Sequence, residues 1–408
     1  MYKDFLRVLG ISAFIVFAHF VFIYLVATNI NALLPELDWN HSVAVISDRV
    51  YLMSSNDTVF PPLTKVFLNF DANFYFDIVT NGYNKGPFTL TEGMKNWAFY
   101  PLYPVLVRLL TPACCSNIDT IFVVGLLISN VSLVFSLVIL FFVFKRLGLT
   151  ENSWLLGVLG IILFPTSYIL HLFYTESLFL LLTLLAVYFA LSKKYFTSAI
   201  FVGISGLTRL VGPVGGIFIL VLLLFDREKS RAYKLFVIPL LIIISSLGIL
   251  LFYGYVYRQT GDFLAPIKIQ SAWSRLENGT LYPFQTIYVF VSYLLKNGLG
   301  IYKSTYFQII FLIFSLIGIM GLALDKAFSA SHRWALFSYS LFYVGLISSS
   351  SSEVSIIRFL TVFFPIYLLF PRLFERNKPV FVLVLSIFSL VQGFALVLFL
   401  SKVPGYGN

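Results

Sequence analysis

The segment FLNFDANFYFDIVTNGY, residues 67–83, sets two carboxylates, Asp71 and Asp77, among five aromatic residues, with Gly82 and Tyr83 closing it. A carboxylate held in partly apolar surroundings at a membrane–water boundary can take the proton of a hydroxyl as a general base. Such a step is worth about 10²–10⁴-fold in rate. The rings around it suit an interfacial helix and the stacking of sugar rings equally well. Phe70, Phe74, Asp77 and Ile78 fall on one helical face, and Asp71, Tyr75 and Ile78 on an adjacent stripe. The spacing predicts a helix ended by Gly82 and capped by Asn69 or Asp71. On local pattern, Asp71 reads equally well as a base or as a helix cap. Asp77 reads as a solvated helix residue.

Further polar groups stand where apolar runs begin or break. His171, Tyr174 and Glu176 lie in LHLFYTESLFLLL, Arg209 in GLTRLVG and Arg358 in SIIRFL. The stretch TGDFLAPIKIQSAWSR, residues 260–275, adds Asp262, Lys268, Gln270, Trp273 and Arg275. Ionisable groups at membrane depth are costly, which points to function. Plainer roles compete: Arg209 pairing with Glu176 as structural glue, and Arg275 or Arg358 snorkelling to the interface. His171 reads as a hydrogen-bonded residue and not a metal ligand, because none of the four histidines has metal-site spacing. Guanidinium groups can compensate a lipid-linked phosphate, so neither a metal nor a cofactor is expected.

The elements that must hold these groups are membrane helices. Charged residues make up 11% of the 408-residue chain, against about 25% in soluble domains. Mean hydropathy is +0.91. The expected class is all-α and polytopic, a single domain over 1–408. Residues 5–27 are too long for a secretory signal core and read as a retained span. Further spans are expected near 119–144, 154–170, 176–192, 235–257, 304–324, 334–349, 356–371 and 379–400. Residues 196–225 read as two short spans broken at GLTRLVGP (206–213), making eleven in all. The basic clusters all lie inside if each neighbouring pair encloses two spans. The inner side then holds 15 basic and 6 acidic residues, the outer side 13 and 12. By the same parity, 284–295 is an interfacial or re-entrant helix, and 99–110 reads as a surface helix. Two long outer loops remain, 28–118 and 258–303. The sequence pI of about 9.4 reflects those inner basic residues, with no nucleic-acid signature. Adjacent Cys114 and Cys115 suit neither a metal site nor a disulfide framework.

Taken in order, the motifs resemble a known family. FDANFYFDIVTNGY (70–83) is similar to a first-loop pattern of an aromatic–Asp pair, further aromatics and Gly-Tyr. FYPLYP (99–104), FYTESLFLLL (173–182), GLTRLVG (206–212), TGDFLAPIKIQSAWSR and IIRFLTVFFP (356–365) resemble the elements that follow. The family is that of the mannosyltransferases adding the second mannose to GPI anchors, with their prokaryotic relatives, of GT-C type. The resemblance covers about residues 60–371. The chain departs from the pattern at Phe70, where Trp is usual, at Phe359, where Tyr is commoner, and at Pro266.

The resemblance implies a hexosyltransferase, most simply a mannosyltransferase, using a polyprenyl-phosphate sugar as donor. It implies Asp71 as the base and Asp77, Tyr83, Tyr174, Glu176, Arg209, Gln270, Trp273, Arg275 and Arg358 as substrate-binding candidates. The reaction would be a direct, inverting displacement onto a hydroxyl of a lipid-linked glycan or other acceptor. A prokaryotic plasma membrane is the expected setting, or the endoplasmic reticulum in a eukaryote, where sequons at Asn40, Asn56 and Asn278 would matter. Two other readings are open: transfer of glucose or arabinose by the same chemistry, and transport. A transporter would be expected to show repeat symmetry and midplane polarity, and a scaffold would not need Arg209 between broken spans. The enzyme reading requires Asp71, Arg209 and Arg358 to converge on one outward-opening cavity with a lateral gap toward lipid.

Overall fold

The computed structural model describes residues 2–33, 44–46, 49–51, 68, 70–89, 94–115, 117–273, 275, 282–297, 303–350 and 355–400. The sequons at Asn40, Asn56 and Asn278 lie outside the described residues. Among the described residues the regular structure is helical apart from one hairpin of β1 (Ala44–Ile46) and β2 (Arg49–Tyr51), antiparallel with Val45 opposite Val50. The helices are α1 (Tyr2–Leu33), α2 (Asp71–Asn81), α3 (Leu102–Leu110), α4 (Ile118–Arg146), α5 (Glu151–Ile162) and α6 (Glu176–Leu191). There follow α7 (Tyr195–Ser205), α8 (Gly215–Phe225), α9 (Arg231–Thr260), α10 (Ala265–Lys268) and α11 (Gln285–Asn297). The last are α12 (Lys303–Leu324), α13 (Ala330–Ile347), α14 (Ile356–Thr361), α15 (Leu369–Arg376) and α16 (Lys378–Leu400).

Among the described residues five stretches are long and apolar enough to cross a membrane: Tyr2–Asn29, Ile118–Arg146, Arg231–Thr260, Tyr306–Leu324 and Lys378–Leu400. Two of these helices start at ordinary caps. The Asn117 side chain accepts the Thr120 amide at 2.8 Å, and Ser230 accepts that of Tyr233 at 3.2 Å. These caps satisfy amides that the first helical turn leaves free. α9 stops at Gly261, whose φ of 75° suits glycine.

The expected spans at 154–170 and 356–371 are not continuous helices. α5 ends at Ile162, ahead of Pro165 and a 3₁₀ turn over Ser167–His171. α14 lasts six residues and gives way to a 3₁₀ turn over Phe364–Leu368 that contains Pro365. A proline removes an amide and clashes with the preceding turn. The two breaks satisfy each other, with Thr166 Oγ1 lying 2.6 Å from Thr361 Oγ1 and 3.3 Å from the Ile357 carbonyl. Irregular backbone is tolerated at membrane depth only when buried in this way. The break expected within 196–225 is present between α7 and α8. α7 and α9 touch backbone to backbone there: a Cβ on Gly248 would stand 1.9 Å from the Gly203 carbonyl oxygen. Small residues allow this approach between apolar helices.

Ion pairs sort the two ends of the bundle. All six acids assigned to the inner side pair with inner-side bases. These pairs are Asp4–Lys145, Glu151–Arg7, Asp226–Lys193, Glu228–Lys193, Asp325–Arg372 and Glu375–Arg372. Among the described residues no ion pair joins an inner-side group to an outer-side one. α6 starts at Glu176 and ends beside Lys193, so its two termini lie about 24 Å apart at 1.5 Å per residue. At the Glu176 end, residues from the stretch 70–107 pack on the helix tips. One apolar cluster joins Phe74, Tyr75 and Tyr103 to Phe122, Phe173 and Leu396, and a second joins Trp97 and Tyr100 to Phe252, Ala265 and Ile269.

Candidate active site

Asp71 is the first residue of α2, where helix amides favour negative charge. It is not the cap. The residue before the helix is Phe70, at φ 52°, and makes no side-chain capping bond. A non-glycine residue at positive φ is strained and persists where its surroundings over-determine it. Ser355, at φ 70°, stands in the same position before α14, which carries Arg358. The helices that carry Asp71 and Arg358 are thus both entered through such a residue.

Arg358 joins the two acids. Its Nη1 donates to Asp71 Oδ2 and its Nε to Glu176 Oε1. Glu176, fully buried at the first position of α6, also meets Arg209 Nη1 at 2.7 Å. Arg209 comes from the break between α7 and α8. The Arg358 guanidinium lies 4.5 Å from the Tyr174 ring centroid. Those of Arg209 and Arg275 lie 4.5 and 5.6 Å from Phe359. Such faces stabilise cations by about 0.5–2 kcal/mol. Arg275, from the second outer loop, has Nη1 3.4 Å from Gln270 Oε1, while its buried Nε has no hydrogen-bond partner. Burial pushes this guanidinium down to about 10, with the Asp71 charge opposing and Arg358 and Arg209 assisting. It remains cationic at neutral pH.

These groups line one cavity of ≈ 140 Å³: Asp71, Arg209, Gln270, Arg275 and Arg358 supply its polar wall. Tyr75, Phe99, Tyr100 and Phe359 supply aromatic faces, and Thr208, Ser349 and Ser350 add further polar groups. Asp71, Arg209 and Arg358 thus line one and the same cavity.

Other expected site residues stand elsewhere. Asp77 is not solvated: it is 1% exposed and lies off the cavity. It accepts from Asn81 Nδ2 and Asn96 Nδ2, each at 2.9 Å. Asn96 and Asn84 in turn exchange amide-to-side-chain bonds at 2.9 Å. Asp77 therefore anchors the segment that ends in Phe99 and Tyr100. Tyr83 donates to the Phe99 carbonyl at 2.6 Å and lines a separate apolar groove with Phe252 and Tyr255. Tyr174 and Glu176 sit behind the cavity and hold its arginines. Of Trp273 only the backbone is described.

His171 is fully buried, with Nε2 2.8 Å from His19 Nδ1 and Nδ1 2.6 Å from Asn130 Oδ1. His19 Nε2 meets Gln392 at 2.9 Å. This chain ties α1, α4 and α16 to the turn leading into Tyr174 and Glu176. The reading of the sequence missed Tyr75 as a cavity residue, although its place one turn after Asp71 was the available signal. Tyr100, Thr208 and the serines after α13 carried no such signal. Among the described residues no three His, Cys, Asp or Glu side chains group as a metal site. No family model and no curated protein matches this chain.

If Asp77 works by anchoring, Asp77→Ala should leave one N–H of the buried Asn96 amide without its acceptor. It is then expected to destabilise the protein by about 1–3 kcal/mol. Melting of the detergent-purified protein checks this, and Asp77→Ala should melt well below Asp71→Asn.

Proposed function

We propose that this chain is a membrane glycosyltransferase of GT-C type. In this reading it moves a hexose, most simply mannose, from a polyprenyl-phosphate donor to an acceptor hydroxyl at the outer face of a prokaryotic plasma membrane. The observation that carries the reading is the meeting of one part-exposed carboxylate with three guanidinium groups in a single aromatic-walled cavity. That cavity lies at the end of the bundle opposite the inner-side ion pairs. A bundle of eleven spans with two outer loops is the architecture that goes with it.

The acceptor hydroxyl gives its proton to Asp71. Its oxygen forms a bond to the anomeric carbon from the face opposite the phosphate. The bond from that carbon to the phosphate oxygen breaks, its electron pair leaving with the polyprenyl phosphate, so configuration inverts. Formal charges fit this course. Arg209, Arg275 and Arg358 carry three positive charges, and Asp71 and Glu176 two negative ones. The site is thus one positive charge in excess, which a phosphodiester donor neutralises. After transfer Asp71 holds a proton and the leaving monoester carries up to two negative charges, so the site is again balanced. Fixed charges aimed at a developing anion need no reorganisation as it forms. The aromatic walls fit the apolar faces of a pyranose.

Purified protein in nanodiscs, given labelled polyprenyl-phosphate mannose, glucose or arabinose with a panel of acceptors, tests the reading. Label is expected to move from mannose donor most readily, with the anomeric configuration inverted. Retention of configuration would contradict the single displacement. Because guanidinium groups supply the positive charge, EDTA is expected to leave the rate unchanged. A rate abolished by EDTA and restored by a divalent ion would overturn that assignment.

A further inference from the structure

We propose that Asp71 occupies the donor's phosphate position on Arg358 while the site is empty, so that the donor's phosphate displaces it on binding. This rests on the glycosyl-transfer reading and adds an order of events to it. Arg358 is the pivot, because its guanidinium presents two edges to two different carboxylates.

The two partners are not equivalent. Glu176 is 0% exposed, begins a long helix and is shared with Arg209. Removing it from Arg358 would strand buried charge, so that contact is fixed. The Asp71 side chain is 17% exposed and lines the cavity. It is the partner that an incoming group can reach and replace. Beside it, Arg275 offers a buried Nε with no hydrogen-bond partner. Gln270 holds the same guanidinium only weakly, at 3.4 Å.

A phosphate entering the cavity therefore meets one guanidinium already covered by Asp71 and a second, Arg275, whose Nε has no hydrogen-bond partner. A phosphoryl group can engage both arginines at once, which a single carboxylate on α2 does not do. Two charge-assisted contacts exceed the one they replace. The exchange turns Asp71 from a partner of Arg358 into a carboxylate with no cation on that oxygen, facing the space the acceptor must enter. Donor binding thus precedes the release of the base, and a hydroxyl arriving first finds Asp71 engaged.

Competition for Arg358 predicts that removing the proposed base tightens binding of the leaving group. The gain should persist at about 1 M salt, where the mere loss of a nearby negative charge is largely screened. Farnesyl phosphate, which carries the leaving group's phosphate on a short prenyl chain, is the probe. Its Kd is measured by calorimetry on the full-length, detergent-purified chain, with melting temperature as the check on folding. Asp71→Asn and Asp71→Ala are each expected to lower Kd roughly tenfold, as removal of a competing state does. Arg275→Gln is expected to raise it. Asp262→Asn removes a carboxylate paired with Lys268 on the same side of the bundle and should leave Kd unchanged. Farnesol should show no difference among the variants. Equal or weaker binding of farnesyl phosphate by both folded Asp71 variants overturns the competition and leaves the transfer reading standing. Absence of binding in every variant removes the phosphate site itself, and the transfer reading with it.

Discussion

Replacing Asp71 with Asn is expected to lower sugar transfer by about 10²–10⁴-fold, the usual contribution of a general base, in a protein that still folds. Asn matches Asp in shape but has no carboxylate to accept the hydroxyl proton. The fold should tolerate it, because Arg358 keeps Glu176 as a counter-charge and the Asp71 side chain is part-exposed. Transfer measured beside melting temperature separates the two effects. A variant that melts normally and transfers at the full rate would remove Asp71 from the chemistry.

Glu176→Ala should do more harm to the fold than any other single change at the site. The carboxylate is fully buried and faces Arg209 and Arg358, whose side chains are 8% and 6% exposed. Its removal leaves two guanidinium groups in an apolar interior with only Asp71 between them. Breaking a buried pair from one side costs about 3–5 kcal/mol, and here two partners are stranded. The expected result is a melting temperature far below those of wild type and Asp71→Asn, with transfer lost as well. Glu176→Ala melting level with Asp71→Asn would show that the arginines do not depend on this acid.

Much of the architecture was legible because it is local. Long apolar runs give the five membrane-length helices, and Gly206, Gly212 and Pro213 mark the break that presents Arg209. The charge count grouped the acids with their partners, since the six acids it placed together each meet a base placed with them. The breaks after Ile162 and Thr361 were hidden because apolar residues continue through them, and Pro165 and Pro365 were outweighed by hydropathy. The site was legible by residue type and not by partner. Asp71 and Arg358 are 287 positions apart, and nothing in either segment names the other. Asp77 was misread for the same reason: Asn96, which buries it, lies 19 residues on, across a loop. Tyr83, Tyr174 and Glu176 were picked out as substrate contacts, yet their packing gives them the task of holding the groups that line the cavity.

The central claim is that a sugar leaves a polyprenyl phosphate in this cavity. It is tested most directly by following both products in a reconstituted membrane containing only this chain, labelled polyprenyl-phosphate mannose and an acceptor glycolipid. One polyprenyl phosphate released for each sugar joined to the acceptor, on the side of the membrane that holds Asp71, is the predicted result. Donor left intact with every acceptor supplied, by protein shown to be folded, would contradict it.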